Sequence, residues 1–366
     1  MKANRMLAAL LAVAMLGSVL SGCQKKPAET PPAPSQPAVS APAQSTPPVD
    51  EPDPQPAPAS ANIIVLSGPA GVGAAKMMED NGVDDNPGSR SWNFTVAAEN
   101  TEVTNALING DADIAAIATN VAANLYNKTE GGITMLAVNT LGVLYILEKG
   151  DSVQSMADLK GKTIYAPSTA KGANPEYILN HLLTENGVDP AADITVEWLT
   201  PQEITAKIVS SDAGICMLPV PAATALLLKD AGVREALDLT AEWDKVADTP
   251  LAMGCIVART EFLQQNPDAV DAFLIEYSKS IEYMNDPANL DAAAELVAKH
   301  GITANAAIAK AAIPACNLVY MPSTEMRNTI QNYYTVLNEA NPAAIGGAMP
   351  YDDFYYLVDL VYSRHS

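Results

Sequence analysis

The sequence predicts an α/β fold of two similar lobes with a ligand cleft between them, followed by a helical C-terminal tail. Three observations carry this expectation. Short apolar strands alternate with helical segments from residue 62 to about residue 138, the pattern of a mostly parallel sheet covered by helices. The same alternation restarts after Thr140 and continues to about Lys229. From Glu261 to Arg364 the chain reads as mostly helical, with no comparable strand series.

The elements follow in order. An apolar strand at 62–66 runs into the glycine-rich turn Ser67 to Gly73 and then a helical run at 74–79. Residues 92–97 alternate as a strand does. A helix at 101–109 stops at Gly110, a residue suited to a left-handed C-cap. Strand 114–118 carries Thr119 and Asn120 at its C-terminal end, and a further helix leads to strand 134–138. In the second series, strands are expected at 141–148, 163–166, 194–199 and 215–218. Helices lie at 175–186, at 201–209 and from Pro219 to near Lys229. Pro201 sits in a first helical turn, where its missing N–H has no partner to lose. A strand at 251–258 returns from this series. Crossings near Thr140 and Leu251 therefore divide the chain into 62–140 plus 251–366 as lobe 1, and 141–250 as lobe 2.

Residues 1–61 belong to neither lobe. Lys2 and Arg5 precede an apolar stretch from Met6 to Val19, closed by Leu20, Ser21, Gly22 and Cys23. A basic start, a short apolar core and small residues at the end form an export signal. The stretch is too short to cross a hydrocarbon core, which takes roughly 20 apolar residues. Its last four residues resemble a bacterial lipobox. The resemblance implies cleavage before Cys23, lipidation of that cysteine and anchoring at the extracytoplasmic face of the cell membrane, since two or more acyl chains hold stably. Residues 24–61 contain twelve prolines and almost no large apolar side chain, so they cannot bury enough surface to offset ordering. As a polyproline-like tether, at ~3.1 Å per residue, they reach on the order of 100 Å.

Charge and cysteine usage narrow the partners. The formal net charge is -21, which disfavours nucleic acid as a partner. Beyond Cys23 the chain has Cys216, Cys255 and Cys316, each inside an apolar run. Three is odd, so at least one stays free within a single chain. Their surroundings suit small buried hydrophobes. No spacing of cysteines or histidines suggests a metal, and His181, His300 and His365 lie far apart. Gly161, Lys162 and Thr163 echo a phosphate loop, but Met156 stands where its first glycine is needed, and a strand follows instead of preceding it. Gly68, Gly71 and Gly73 are wrongly spaced for a dinucleotide fingerprint. No Gly-x-Ser-x-Gly elbow occurs. Asp111 and Asp113 are expected to be loop-forming or exposed, not a catalytic pair. Trp92 and Trp198 lie in strands and read as core.

Several segments then carry a family likeness. Residues 153–164, Val-Gln-Ser-Met-Ala-Asp-Leu-Lys-Gly-Lys-Thr-Ile, resemble an "S-x-x-DLKGK-x-I" signature of solute-binding proteins that serve ABC importers. Residues 109–120, 122–128 and 217–224 are similar to the branch that includes nitrate, sulfonate, taurine and thiamine-pyrimidine binders. The likeness extends from Ile63 to about Tyr283. It implies the type II periplasmic-binding-protein fold: two Rossmann-like lobes that close on a ligand about two hinge strands. It also implies partners: a small-molecule ligand, and an ABC permease with its ATPase. The lipid anchor is then the chain's contact with the membrane, and the protein is expected to be a monomer without cofactor or catalytic residues. A same-fold enzyme of the thiamine-pyrimidine synthase type stands as an alternative. It needs iron and a clustered Cys/His set, which the scattered cysteines do not supply. A ligand-sensing surface lipoprotein is a further alternative.

In open α/β sheets, ligands bind beyond the carboxyl ends of the strands. Four such loops are expected to face the cleft. Ser67, Gly68 and Gly71 follow the first strand, where glycine admits close backbone approach and a helix start offers N–H groups. Thr119 and Asn120 stand at a strand end and helix start, suited to capping or to donating to a ligand. Ser168 and Thr169, with Lys171 nearby, hold the equivalent place in the second lobe. Pro219 and Pro221 open another helix there, and Thr140 marks the crossing. These groups suit a small polar or anionic ligand.

Overall fold

The protein is described from a computed structural model covering residues 59–81 and 90–357. The expected export signal, the expected lipidation site Cys23, the tether up to residue 58 and the last residues of the tail lie outside the described residues; residues 59–61, expected as the end of the tether, instead begin the first strand.

In the first lobe β1 (Ala59–Leu66) leads through α1 (Pro69–Val72) and α2 (Ala75–Asp80) to β2 (Arg90–Ala97). Then come α3 (Asn100–Asn109), β3 (Ile114–Ala118), α4 (Thr119–Lys128) and β4 (Ile133–Thr140). The chain crosses to the second lobe as β5 (Leu144–Lys149), followed by β6 (Thr163–Pro167), α5 (Asn174–Glu185) and β7 (Thr195–Leu199). It continues as α6 (Pro201–Ser210), β8 (Gly214–Pro219), α7 (Ala222–Lys229), β9 (Val233–Asp238) and α8 (Leu239–Trp243). It returns to the first lobe as β10 (Gly254–Arg259), α9 (Thr260–Gln265), α10 (Pro267–Asn285), α11 (Leu290–Lys299) and α12 (Ala306–Ala312). The described part of the tail ends with β11 (Leu318–Pro322), α13 (Ser323–Ala340) and short 3₁₀ turns.

Each lobe is built on one sheet. The first has six strands in the order β11-β4-β10-β3-β1-β2, the second five in the order β7-β6-β8-β5-β9. All eight residues of β4 are buried, as expected for a strand covered on both faces. On one side of the sheet Leu136 belongs to a core shared with Phe273, Tyr277 and Ile281. On the other side Met135 and Val138 belong to a core shared with Val103, Leu107, Tyr126, Ile330 and Leu337. Gly110 ends α3 with φ of 77°, the left-handed cap its identity suggests.

Three features differ from the sequence expectation. The returning strand begins at Gly254 and runs antiparallel to both β3 and β4. Two further strands, β9 and β11, occupy sheet edges. Asp113 lies in the loop before β3, as expected, but is buried there: its carboxylate pairs with the Arg259 guanidinium at 2.9 Å and accepts from the Asn62 amide at 2.9 Å. This pair ties β10 to the start of β1.

The segment 153–164 earns its sequence from local geometry. Ser155 and Asp158 form a reciprocal capping box around the turn Met156–Leu159, which satisfies otherwise orphaned amides. Gly161 adopts φ of 76°, a conformation that favours glycine. Lys160 pairs with Asp193 at 2.9 Å. Met156 and Leu159 are wholly buried. The motif thus builds the entry to β6.

Candidate interlobe site

Register places the strand ends of the two lobes opposite one another. Gly254, the first residue of β10, pairs with Ala118 at the end of β3 and with Thr140 at the end of β4. In the second sheet, Leu144 at the start of β5 pairs with Pro219 at the end of β8. Only residues 141–143 separate Thr140 from Leu144, so the carboxyl ends of β3 and β4 lie one short crossing from that of β8. This is where an open α/β sheet offers its ligand crevice.

The residues at these ends form a polar, uncharged set. Asn139 is fully buried. Its amide nitrogen donates to the Ala70 carbonyl at 2.8 Å and to the Tyr277 hydroxyl at 2.8 Å. Its oxygen accepts from the Thr140 hydroxyl at 3.1 Å. Burial pushes the Tyr277 hydroxyl well above its ordinary pKa, so it stays neutral. Thr119, also fully buried, donates its hydroxyl proton to the Ala252 carbonyl at 2.7 Å, while its backbone N–H donates to the Met253 carbonyl at 3.1 Å. The Asn174 amide, from the second lobe, donates to the Thr119 hydroxyl at 3.3 Å. The Tyr333 hydroxyl, from the first lobe, donates to the Asn174 oxygen at 3.0 Å. Asn120 is 3% exposed, and its side-chain oxygen has no hydrogen-bond partner. An uncompensated buried acceptor costs about 1–3 kcal/mol. It therefore stands ready for a donor at the first turn of α4.

The other expected residues fall into place as follows. Gly68 is buried with φ of 89°, and a Cβ there would come 3.8 Å from Pro221 of the opposite lobe. Gly71 has a packing duty: a Cβ would sit 2.4 Å from the Leu66 carbonyl oxygen. Its N–H and that of Val72 both donate to the Gly68 carbonyl. Ser67 is half-buried, and its N–H donates to Ala97. Pro219 ends β8. Pro221, after a cis Val220–Pro221 peptide, caps α7 and lines a cavity of about 420 Å³. Its walls come from both lobes, with Gln202 and Ala225 on one side and Ala304 and Ile308 on the other. Ser168, Thr169 and Lys171 are exposed, so this loop presents its side chains to solvent while the buried contact is made by Asn174.

Asn139, Asn174 and Tyr333 are absent from the sequence expectation. A polar residue ending an otherwise apolar strand was a readable signal for Asn139. Asn174, just before Pro175 in a first helical turn, offered a weaker one. Tyr333 lies within α13 and carried none.

Among the described residues no three His, Cys, Asp or Glu side chains gather where they could hold a metal. Cys216, Cys255 and Cys316 are free and buried. Burial pushes the Cys216 and Cys316 thiols up to about 12, and Cys255 higher still. No helix among the described residues is long and apolar enough to cross a membrane.

Residues 98–289, just over half the chain, match the model of the NMT1/THI5 like family. No curated protein matches the chain. Among solved structures, an ABC transporter protein of Parabacteroides distasonis superimposes with a TM-score of 0.67 at 21% identity, over 81% of this chain and 99% of that one. The periplasmic aliphatic sulphonate binding protein SsuA of Escherichia coli gives 0.62 at 17% identity, over 77% and 87%. The periplasmic nitrate-binding protein NrtA of Synechocystis PCC 6803 gives 0.54 at 14%, over 81% and 84%. At these identities the likeness establishes the two-lobed periplasmic-binding-protein fold.

Proposed function

This chain belongs to the NMT1/THI5-like family, and on that basis we propose that it is an extracytoplasmic solute-binding protein, anchored through lipidated Cys23, that captures a small polar or anionic ligand between its lobes and delivers it to an ABC permease and its ATPase. The fold neighbours named for sulphonate and nitrate binding support the class of role. The observation that carries the reading is the facing of the two sets of strand ends. Asn139, Thr140, Thr119 and Asn120 come from one lobe, and Asn174 and Pro221 from the other. Of these, Asn120, whose buried side-chain oxygen has no partner, is the group free to recognise a polar solute by hydrogen bonding without acting on its bonds. Closure is then a population shift driven by contacts that exist only when the lobes meet. The protein performs no chemistry on the ligand.

Thermal denaturation of the purified protein against nitrate, sulfonates, pyrimidines, amino acids and phosphonates, with native mass spectrometry for co-purified ligand, tests this. A ligand at ~100 times its Kd stabilises the folded state by about 2.7 kcal/mol. A saturable hit of unchanged mass supports capture. A ligand chemically altered on incubation, or no hit across the panel, rejects it for these ligands.

A further inference from the structure

Asn174 is the buried polar side chain of the second lobe that makes two hydrogen bonds to side chains of the first; Thr249 adds a single bond, from its hydroxyl to the Thr329 carbonyl at 3.3 Å. It stands at the first position of α5, just before Pro175, and is 2% exposed. Its nitrogen meets the Thr119 hydroxyl at 3.3 Å and its oxygen the Tyr333 hydroxyl at 3.0 Å. The direction of these bonds is forced. A carbonyl only accepts, so the Thr119 hydroxyl must give its single proton to Ala252. It can then only accept from Asn174, which turns the amide nitrogen toward Thr119 and the oxygen toward Tyr333. The result is a one-way chain, Tyr333 to Asn174 to Thr119 to Ala252, that leaves the first lobe and re-enters it. Tyr333 is positioned by the second lobe as well: its ring lies 5.5 Å from that of Trp243, whose indole N–H donates to the Thr249 carbonyl at 2.7 Å.

We infer that Asn174 is the positioning residue that fastens the lobes together, and that Thr119 serves this latch instead of donating to the ligand. Thr119 has no proton left for a ligand, and its hydroxyl is surrounded by protein groups: the Ala252 carbonyl, the Asn174 amide and the Tyr333 hydroxyl. In a buried, low-dielectric chain each bond strengthens its neighbour, and removing one member leaves another buried and unpaired. The latch thus adds closure free energy that does not depend on ligand chemistry. It rests on the solute-binding reading only for its purpose, so its test needs no ligand.

Nitroxide labels at Gln202→Cys and Ala304→Cys, two exposed positions on opposite walls of the 420 Å³ cavity, report lobe separation by pulsed electron spin resonance. The native cysteines of the described residues are buried and stay unlabelled. The full chain is expected to show a short, narrow distance distribution. Asn174→Ala and Tyr333→Phe each shift it toward longer distances, with the closed-to-open ratio falling roughly tenfold. Thr119→Val opens the lobes, whereas Thr119→Ser, which keeps the hydroxyl, restores the short distance. Restoration by serine separates latching from general packing. If Asn174→Ala does not fold, Asn174→Asp, which accepts from Tyr333 but has no N–H for Thr119, takes its place. A distribution that is the same in wild type, Tyr333→Phe and Thr119→Val, whether short or long, overturns the inference. Failure of every ligand in the solute panel leaves these distances unaffected and bears only on the proposed function.

Discussion

The Asn139 amide donates to the Tyr277 hydroxyl across 2.8 Å, joining the last turn of sheet structure in β4 to the middle of α10. The same nitrogen reaches the Ala70 carbonyl at 2.8 Å, so one fully buried side chain ties three segments together beneath the proposed cleft. Gly254 is shaped around it: a Cβ there would meet the Asn139 oxygen at 2.7 Å. Asn139→Leu leaves the Ala70 carbonyl and Tyr277 without this partner in a site closed to water. A loss of about 2 kcal/mol in urea denaturation is expected, with a weaker response to any ligand found by thermal shift. Unchanged stability and ligand response would remove Asn139 from the cleft floor.

The crossing between lobes depends on a missing side chain. A Cβ on Gly142 would lie 2.1 Å from the Thr240 hydroxyl oxygen and 3.0 Å from Leu251. The outgoing crossing, the start of α8 and the returning segment therefore touch at one glycine. Gly142→Ala forces these apart and costs about 1–3 kcal/mol, the range for overpacking. Adding Thr240→Ala to Gly142→Ala removes the nearest atom and restores part of that loss. The comparison is made by urea denaturation of the two variants.

Much of this architecture was legible because strand and helix periods differ. The segments 62–66, 114–118 and 194–199 each overlap an observed strand, β1, β3 and β7. What escaped has a physical reason. β9, Val-Arg-Glu-Ala-Leu-Asp, buries chiefly Val233 and Leu237 and exposes Glu235. β11 is five residues long and ends in Pro322. Both are edge strands, which pair on one side only and carry charged or short sequences that avoid further pairing. Strand direction was equally hidden, since an apolar run does not say which way it runs. At the site, strand-end position pointed to Thr119, Asn120 and Thr140, but Tyr333 enters from a distant helix that only tertiary folding brings near.

Glu148 anchors the approach to the β6 motif and supplies a pH-dependent test. Its carboxylate is 2% exposed. It accepts from the Ser152 hydroxyl and amide, the Val153 amide and the Arg234 guanidinium at 2.6 to 3.2 Å. Burial alone would raise its pKa, but the bonds from Ser152, Val153 and Arg234 outweigh it and hold the group below its usual value. A depressed carboxylate contributes stability that is present above the unfolded pKa, about 4.3, and is lost as pH falls through the lower folded value. Glu148→Gln is therefore less stable than wild type at pH 7, and the gap narrows as pH falls below about 4. Arg234→Met, which leaves the buried carboxylate without its cation, costs about 2 kcal/mol at pH 7. A stability gap between wild type and Glu148→Gln that stays constant from pH 7 to pH 3 would reject this account.

Thiol chemistry joins the buried core to the proposed anchor. Cys216 and Cys316 have thiols pushed up to about 12 by burial, and Cys255 is buried against the Ile117 carbonyl at 3.6 Å. The thiolate is the reactive form, so at pH 8 these groups are almost wholly protonated as well as shielded. With an aromatic disulfide reagent, the native protein purified from membranes is expected to release no colour on a scale of minutes. In guanidinium chloride three thiols react, because Cys23, blocked as a lipid thioether, cannot. A fourth thiol in denaturant shows Cys23 unmodified and sinks the lipid anchor. A thiol that reacts in the native state would mean that one of the three lies in an accessible, electropositive setting, which is the environment a cysteine-dependent enzyme of this fold would need.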